Sequence, residues 1–333
     1  MMNKPIDFVI LWVDGADPKW RAERDKFRVS KGEDDIRDFR FRDWENLQYI
    51  FRGIEKFTPW VNRVHLVTWG HLPRWINLDC PKLNIVNHKD YMPQEYLPCF
   101  NSEALEVNLH RIPGLAENFV YFNDDMFILK DMAETDFFVN NLPCDSAVIN
   151  AHCCELSDGA TLCDFLNIGI INKHFVMRTV LKENLFKWFN PIYGVKGLRT
   201  LYLLPCPRFP GMLMQHIPTS FNKSTFELVW KLEPEILDMT SKNKFRNLAD
   251  VNQWLFEEWQ LASGNFSPRS PKIGITKVGR SGLKEACKIV ESQKYKLLSY
   301  NDEDMTYEEF EKAKTLFNRS LQKILPQKSE YEK

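Results

Sequence analysis

Short apolar runs separated by amphipathic segments dominate the first half of the chain. The first run, residues 6–13, is rich in β-branched and aromatic residues, as in a central strand that is covered on both faces. Further apolar runs predict strands at residues 63–68, 83–87, 119–122 and 145–150. Because helical segments lie between them, the pattern predicts an α/β fold with a mostly parallel sheet.

Apolar residues at three- and four-residue spacing predict the main helices. The clearest stripe runs from Trp44 to Phe57, with Asp43 as the expected N-cap and Pro59 beyond its end. Helices are also expected over residues 19–29, 101–110, 175–189, 251–262 and 306–324. Three segments are expected to be irregular: a mobile loop at 30–42, a linker at 263–271 and a loosely held tail after Pro326.

Composition narrows the classes of function. The 333 residues include 44 basic and 45 acidic ones, and this balance argues against a nucleic-acid partner. The N-terminal apolar run is too short for a signal peptide, and no segment reaches the roughly 18 apolar residues of a membrane-spanning helix. A cytoplasmic protein is therefore expected, with peripheral docking at the inner face of the membrane left open.

The eight cysteines form no C-x-x-C pair, which favours free thiols in a reducing compartment. His152, Cys153, Cys154 and Cys163 lie close together in the sequence, but their spacing matches no standard zinc site.

The most informative motif is the acidic pair Asp124-Asp125, which follows the apolar residues 119–122. Two unit charges about 4 Å apart repel by roughly 4 kcal/mol at an effective dielectric constant near 20, so the pair is expected to meet a positive ligand. A divalent cation is the simplest such ligand, and ligands of open α/β sheets bind outside the carboxyl ends of strands. An ordinary surface turn is the alternative, because Asn and Asp also favour turns.

Other motifs are candidates for binding or catalysis, and each has a plainer alternative. Residues 12–15 end the first strand, where nucleotide-sugar enzymes often hold base and ribose, although a simple turn fits as well. Asn101 and Ser102 both suit the start of an anion-binding helix, and either one could be its N-cap. Glu106 lies one turn further on, where a merely solvated residue is the alternative.

His216 lies in an apolar stretch before a proline, where a core histidine is the alternative to a catalyst. Arg246 ends a basic turn that suits a phosphate or only solvent. P-loop, dinucleotide-binding and zinc-protease motifs do not occur, so a metal-dependent enzyme acting on a phosphate-bearing substrate stays open.

In their order along the chain, these motifs resemble the Stealth family of sugar-1-phosphate transferases. That family acts in microbial capsule synthesis and includes the animal enzyme that places N-acetylglucosamine-1-phosphate on lysosomal glycoproteins. Four regions carry the resemblance: IDFVILWVDGADPKW at 6–20, a long region from 40 to about 130 that contains LPCFNSEALE and FVYFNDDMFIL, QHIPTSF within 215–246, and SYND at 299–302 with the ending LPQKSEYEK. Leu11 and Cys99, where the family commonly has threonine, are mild departures.

The resemblance implies a Rossmann-like sheet similar to the GT-A nucleotide-sugar fold, with helical additions toward the C-terminus. It implies a catalytic domain over residues 1–262, with a helical insertion at about 174–262, and a segment over 263–333 that packs on this domain or completes it. It also implies a set of site residues. The catalytic ones are Glu106, Asp125, His216 and Arg246, the ligands of Mg²⁺ (or Mn²⁺) are Asp124 and Asp125, and the donor-binding ones are Trp12, Val13, Asp14, Gly15, Arg42 and Asn101.

The implied reaction transfers a sugar-1-phosphate from a UDP-sugar, with UDP-N-acetylglucosamine as the first candidate. The acceptor is a hydroxyl of a glycan or lipid-linked glycan, and UMP is released. His216 is the favoured base, Glu106 is the competing one, and a phosphohistidine intermediate is a third option. Two other classes stay open: a metal-dependent glycosyltransferase that releases UDP, and a non-catalytic sugar-binding component of the capsule machinery.

Overall fold

A computed structural model of the chain describes residues 4–27, 41–153 and 159–333, with side chains from residue 162 onward in the last range. The mobile loop predicted for residues 30–42 therefore lies outside the described residues, apart from Phe41 and Arg42. The strands are β1 (Ile6–Leu11), β2 (Arg63–Thr68), β3 (Leu83–Asn87), β4 (Asn118–Phe122), β5 (Met126–Ile128), β6 (Phe138–Val139), β7 (Leu142–Asp145), β8 (Thr219–Asn222), β9 (Ser267–Pro268), β10 (Gly274–Val278) and β11 (Leu297–Asn301).

Helices occupy the connections between these strands. The α-helices are α1 (Pro18–Phe27), α2 (Leu47–Phe57), α3 (His88–Tyr91), α4 (Ser102–Glu106), α5 (Gly159–His174), α6 (Met177–Glu183), α7 (Leu185–Trp188), α8 (Leu198–Leu203), α9 (Lys223–Leu232), α10 (Pro234–Lys242), α11 (Trp254–Ala262), α12 (Gly279–Ser292) and α13 (Tyr307–Ile324). Short 3₁₀ helices lie at Gln94–Tyr96, Leu109–Arg111, Glu134–Asp136 and Pro191–Gly197.

The main sheet has five strands in the order β3-β2-β1-β4-β8. The first four strands are parallel, and β8 pairs with β4 in the antiparallel direction. The predicted α/β class with a mostly parallel sheet is confirmed. In such a sheet the carboxyl ends of the parallel strands lie along one edge, and this edge carries the candidate site described below.

The two faces of the main sheet pack against different parts of the chain. Val9 and Leu11 of β1 belong to a core that includes residues of α5, α9 and α11. Phe8 and Ile10 point to the opposite face and belong to a core that includes residues of α2, α12 and α13. Strand β1 is therefore covered on both sides, which is why its sequence is apolar without alternation.

The C-terminal segment forms a second sheet, in the order β10-β11-β5, close to the acidic pair. Strand β11 pairs antiparallel with β5, which directly follows Asp125, and it pairs parallel with β10. The Tyr300 N–H donates to the carbonyl oxygen of Asp125 at 2.9 Å. Residues 263–333 thus contribute to the surroundings of the site, whereas the division of the chain at residue 262 stays a prediction.

Several sequence-based boundaries are wrong. Helix α2 begins at Leu47 with Asn46 as N-cap, because Glu45 has a positive φ of 52° and interrupts the helical backbone after Asp43. The strand predicted at 145–150 is instead β7, which ends at Asp145. The helix predicted at 175–189 is divided into α6 and α7 at Asn184 (φ −118°, ψ 35°), and α5 was not predicted.

The predicted linker and the predicted loose tail are also wrong. Within residues 263–271, Phe266 is fully buried and β9 pairs with β7. In the tail, Tyr331 is buried, Glu332 forms a β-bridge with Ile76, and its carboxylate binds Arg52 at 2.7 Å. Each segment contains a single large apolar residue, Phe266 or Tyr331, among polar ones, so the local composition does not reveal the contacts that the tertiary structure makes.

The sequence predicts free thiols and no membrane-spanning helix, and the described ranges bear on both expectations. The seven cysteines described there are all free thiols, and Cys154 lies outside them. Within the same ranges, none of the helices combines the length and apolarity that crossing a bilayer requires.

We predict that Glu332→Gln lowers the free energy of unfolding by about 2 kcal/mol, the size of a hydrogen bond to a charged group. Burial by itself would raise the pKa of Glu332, but its hydrogen bonds and ion pair with Arg52 lower this pKa below the ordinary 4.5. The stabilisation is therefore complete above pH 4.5 and is lost as the pH falls through the lowered pKa.

Denaturant unfolding of both proteins at pH 7 and pH 3 measures this difference. Exposed Glu330→Gln is the control, and it should unfold like the parent protein at both values of pH. A Glu332→Gln variant that is as stable as the parent at pH 7 would contradict an anchored tail.

Candidate active site

The candidate site lies where the two central strands of the main sheet end. Strands β1 and β4 are parallel neighbours with Ile10 opposite Phe122, so the residues after them emerge side by side. Residues 12–15 follow β1, and the acidic pair follows β4. The two strongest sequence motifs are therefore brought together by strand pairing, as the carboxyl edge of a parallel sheet requires.

A pocket opens between these strand ends and the start of α2. It is lined by residues from the N-terminal half of the chain and by one residue of β11: Trp12, Arg42, Asp43, Trp44, Asn46, Leu47, Asp124, Asp125 and Tyr300. Trp12, Arg42, Asp124 and Asp125 were expected at the site from the sequence. Asp43 was not expected there, because its position before an apolar stripe predicts a helix N-cap.

Three carboxylates share this pocket, and burial disfavours their charged forms. It raises the pKa of Asp125 to about 7 and that of Asp43 to about 6. The pKa of Asp124 is raised well above its ordinary range by burial and then by the charges of Asp125 and Asp43. A bound cation would reverse this effect, because it favours ionised carboxylates.

The residues present fit a divalent cation with oxygen ligands. Oδ1 of Asp125 is buried without a hydrogen-bond partner, and such an atom is costly unless a ligand satisfies it. In the described ranges, groups of three or more His, Cys, Asp or Glu side chains with metal-binding geometry are absent. Mg²⁺ suits this arrangement, since it is commonly held by one or two carboxylates together with water and substrate phosphates.

His216 lies directly behind the acidic pair. Its Nδ1 is 4.0 Å from Oδ2 of Asp125 and 2.9 Å from Oγ of Ser299, and its Nε2 is 2.9 Å from the amide nitrogen of Asn123. Burial and the charge of Arg246 lower the pKa of His216 to about 4. The imidazole is therefore neutral at physiological pH, and the lone pair of its Nε2 accepts a hydrogen bond from the side-chain amide of Asn123.

Glu106 is connected to His216 by a chain of hydrogen bonds. The hydroxyl of Tyr121 lies 3.0 Å from Oε1 of Glu106 and also contacts Oδ1 of Asn123, whose amide nitrogen reaches His216. Glu106 is buried, contrary to an ordinary exposed helix position, and burial raises its pKa. The two residues considered as bases are thus parts of one polar network.

Arg246 supplies the positive charge of this region. Its Nη2 donates to Oγ of Ser102 at 2.6 Å, and its Nε lies 3.9 Å from Oε1 of Glu103. The charge of Arg246 favours the ionised forms of Glu106 and Asp125. The structure therefore brings all four residues predicted as catalytic into one neighbourhood, although their roles stay predictions.

Asn101 has a different position from the one expected for a ligand contact. It is fully buried, and its side chain accepts from the N–H of Glu103 as the N-cap of α4. Its amide donates to Asp250 at 2.8 Å and to the carbonyl of Phe245 at 3.2 Å. In this structure Asn101 positions α4 and the chain next to Arg246, and its predicted role in donor binding stays a prediction.

The other predicted donor-binding residues form or support the pocket wall. Arg42 pairs with Asp302 (Nε to Oδ2, 3.1 Å) and lies over the ring of Phe310 at 4.8 Å, so it ties the pocket to the C-terminal segment. The N–H of Asp14 donates to Nε2 of His71 at 2.8 Å. Val13 packs in a small cluster with the buried Trp20.

Gly15 allows the backbone of Phe41 to pack closely against the segment that follows β1. A Cβ atom at this position would lie 1.8 Å from the carbonyl oxygen of Phe41, so only glycine permits this approach. Arg42 and Asp43 follow Phe41 directly, and both line the pocket.

Sequence reasoning missed the supporting residues Asp43, Tyr121 and Ser299. Ser299 stands in the SYND segment, whose likeness to the fourth family region was the available signal. Tyr121 is an inward residue of an apolar strand and offered no signal of its own. A carboxylate before an apolar stripe usually indicates an N-cap, so the sequence pattern assigns Asp43 to the helix and not to the pocket.

Comparison with known proteins identifies the family. Sequence models of Stealth protein conserved region 1 and conserved region 2 match residues 4–32 and 40–144. The exopolysaccharide phosphotransferase cps2G of Lactiplantibacillus plantarum is 40% identical over 98% of this chain and 96% of its own length. The capsular polysaccharide phosphotransferase WcwK of Streptococcus pneumoniae is 38% identical over 100% of both chains, and the receptor polysaccharide phosphotransferase WefC of Streptococcus oralis is 36% identical over 99% and 100%.

Among solved structures, the fold is similar to that of the galactosyltransferase LgtC in complex with donor and acceptor sugar analogues. The TM-score is 0.40 at 10% sequence identity, with 97% of this chain and 98% of the other covered. Because this similarity is low, the fold class is assigned from the strand order described above.

The long matches define the class of protein as a polysaccharide phosphotransferase, and thus a transferase. The chain belongs to the Stealth family.

We predict that Gly15→Ala weakens the wall of the pocket. Forcing a methyl group against Phe41 should lower the free energy of unfolding by about 1 to 3 kcal/mol, the usual cost of overpacking. Thermal unfolding measures this loss.

Gly169→Ala is the matched control, because this exposed glycine of α5 has open space around its Cβ position. That variant should be as stable as the parent or up to about 1 kcal/mol more stable, since alanine suits a helix better than glycine. Equal behaviour of the two variants would show that the approach of Phe41 to Gly15 does not matter.

Proposed function

We propose that this protein transfers a sugar-1-phosphate from a UDP-sugar to a hydroxyl of a glycan or lipid-linked glycan and releases UMP. The reaction would serve capsule or exopolysaccharide synthesis in the cytoplasm, and UDP-N-acetylglucosamine is the first donor to test. One observation carries the proposal: in a chain of this family, Asp124 and Asp125 line the same pocket as Trp12, with His216 directly behind them.

Asp124 and Asp125 would hold Mg²⁺ (or Mn²⁺) in this pocket. The cation, when bound, neutralises charge on the diphosphate and on the departing UMP. The buried Oδ1 of Asp125 supports this role, since a cation would satisfy it. Asp43, on the far side of the same pocket, adds to the negative field that would attract the cation.

The donor would be held by the pocket wall. Trp12, Val13, Asp14 and Gly15 would contact the uridine, and Arg42 would bind a phosphate or the ribose while it stays tied to Asp302. Arg246 would bind the transferring phosphate, since a guanidinium group makes forked hydrogen bonds to phosphate oxygens. In such a reaction, positioning and charge neutralisation supply most of the rate enhancement.

His216 would take the proton of the acceptor hydroxyl. Its lowered pKa keeps the imidazole neutral, and its contacts with Ser299 and Asn123 fix the orientation of the ring. Glu106 is the competing base, and the chain through Tyr121 offers it a hydrogen-bonded connection to the same imidazole. Because the side-chain amide nitrogen of Asn123 can only donate, a proton taken by Nε2 of His216 would replace this hydrogen bond.

Identification of the nucleotide product tests the proposal directly. The purified protein is incubated with a panel of UDP-sugars, Mg²⁺ and an oligosaccharide acceptor, and the nucleotides are separated. Release of UMP with a phosphate bridge in the product is the expected result. Release of UDP would identify a glycosyltransferase, and binding of the sugars without turnover of any donor would identify a sugar-binding component.

We predict that Asp125→Asn lowers turnover by about a hundredfold or more. A loss of this size is typical when one interaction that stabilises the charge of a transition state is removed. The fold should be intact, because the substitution keeps the size of the side chain. Addition of Mg²⁺ should no longer tighten the binding of UDP, as measured by calorimetry. Exposed Asp131→Asn is the control and should behave like the parent. Near-normal turnover of Asp125→Asn with Mg²⁺ would overturn the metal-binding role.

We also predict that His216→Ala lowers kcat far more than it weakens donor binding, and that imidazole added to the solution partly restores turnover. Glu106→Ala should not be rescued by imidazole. Tyr121→Phe breaks the connection between the two residues and should cost less than His216→Ala if His216 is the base. Equal losses of kcat and donor affinity in His216→Ala would assign His216 to binding instead.

A further inference from the structure

A large apolar surface is exposed far along the chain from the residues that line the pocket. Three of its side chains are almost fully exposed: Phe186 at 85%, Tyr202 at 82% and Val195 at 79%. Less exposed members of the same surface are Val176, Leu185, Ile192, Leu198 and Leu201. Scattered apolar residues are normal on a protein surface, but so many exposed apolar residues within one short stretch of the chain favour an interaction site.

The members of this surface are held close together by the fold. The amide of Asn190 donates to the carbonyl of Phe186 at 3.2 Å, and the hydroxyl of Tyr193 donates to the carbonyl of Lys187 at 2.6 Å. These hydrogen bonds connect α7 to the 3₁₀ helix Pro191–Gly197, which leads directly into α8. The exposed side chains therefore belong to consecutive short helices.

The 195–203 stretch has an inverted arrangement of apolar and polar residues. Val195, Leu198 and Tyr202 recur at three- and four-residue spacing on the outer face, whereas the fully buried residue is a threonine. Thr200 Oγ1 accepts a hydrogen bond from the N–H of Ile149 at 3.0 Å. A helix that lies on a protein in water normally has the opposite arrangement, so an apolar environment is expected outside.

Basic residues are interspersed with the apolar ones along the same stretch of the chain. Residues 176–208 contain six basic residues and one acidic residue, in a chain with 44 basic and 45 acidic residues overall. Arg178, Lys182, Arg199 and Arg208 are exposed. We call the residues 176–208 the apolar-basic surface.

We infer that the apolar-basic surface docks on a lipid bilayer that carries anionic headgroups. Aromatic and aliphatic side chains would enter the boundary between headgroups and acyl chains, and arginine and lysine would meet the phosphates. An apolar partner protein would not need the basic excess, whereas an anionic membrane uses both features at once. Attachment would be peripheral and independent of the chemistry proposed for the pocket.

The position of this surface suits an acceptor that is itself held in a membrane. Thr200 bonds to Ile149, which forms a β-bridge with Met212, and the chain then continues to His216. A surface that docks through 195–203 would therefore hold the membrane beside the segment that leads into the candidate active site.

Vesicle sedimentation of the full chain tests the inference. Vesicles of phosphatidylcholine alone are compared with vesicles of equal parts phosphatidylcholine and phosphatidylglycerol, without nucleotide or metal. The protein should sediment with the anionic vesicles and be released in part by high salt, because screening weakens only the electrostatic contribution. Failure to bind anionic vesicles would overturn the inference and would leave the proposed transfer reaction untouched.

Two pairs of substitutions locate the contact. Phe186→Ser with Tyr202→Ser should reduce partitioning onto anionic vesicles by about tenfold or more, since each large apolar side chain contributes substantially on burial. Arg178→Glu with Lys182→Glu should reduce binding to anionic vesicles by about thirtyfold or more, since each basic residue near the surface contributes about 1 kcal/mol and the new carboxylates are repelled. Thermal unfolding confirms that each variant is folded.

Matched controls lie on another face of the molecule. Exposed Tyr307→Ser is the control for the apolar pair, and Lys284→Glu with Lys288→Glu, which has the same four-residue spacing, is the control for the basic pair. Both controls should bind like the parent. Three results would each overturn membrane docking. They are equal losses of binding in the controls, unchanged binding of the test variants, and a concentration-dependent dimer that only the test variants abolish.

Discussion

The candidate site depends on one electrostatic constraint, the crowding of half-buried carboxylates in one pocket. Asp43, Asp124 and Asp125 line this pocket, and burial raises the pKa of each of them. Burial disfavours the ionised forms of these groups, and a bound cation would favour them. Oδ1 of Asp125 is buried without a hydrogen-bond partner, which supports the same interpretation.

The constraint is met through contributions from distant parts of the chain. Parallel pairing of β1 and β4 places Trp12 beside the acidic pair, and pairing of β5 with β11 brings Ser299 and Tyr300 to the other side. Arg42 then joins the pocket to Asp302. Because the 263–333 segment supplies hydrogen bonds to both Asp125 and His216, it is a structural part of the site.

Sequence patterns were most successful where local physics and tertiary structure agree. The apolar run that becomes β4, the capping role of Asn101 and the capped helix α13 all follow from rules that act over a few residues. The errors occur where long-range contacts override local preference. Asp43 has the sequence features of an N-cap but faces the pocket, and the tail after Pro326 looks unrestrained but is anchored by Arg52.

What the sequence by itself determined was the class of fold, the family, and the motif at the end of β4, because strand periodicity and long family regions are properties of the chain. Only the tertiary structure decided which side chains meet: that His216 lies 4.0 Å from Asp125, that Glu106 is connected to it through Tyr121, and that apolar residues of 176–208 face outward. The physical reason is that burial and hydrogen bonding join residues some ninety positions apart, as in the contact of Asn123 with His216. Contacts between residues so far apart produce no periodic pattern in the amino-acid sequence.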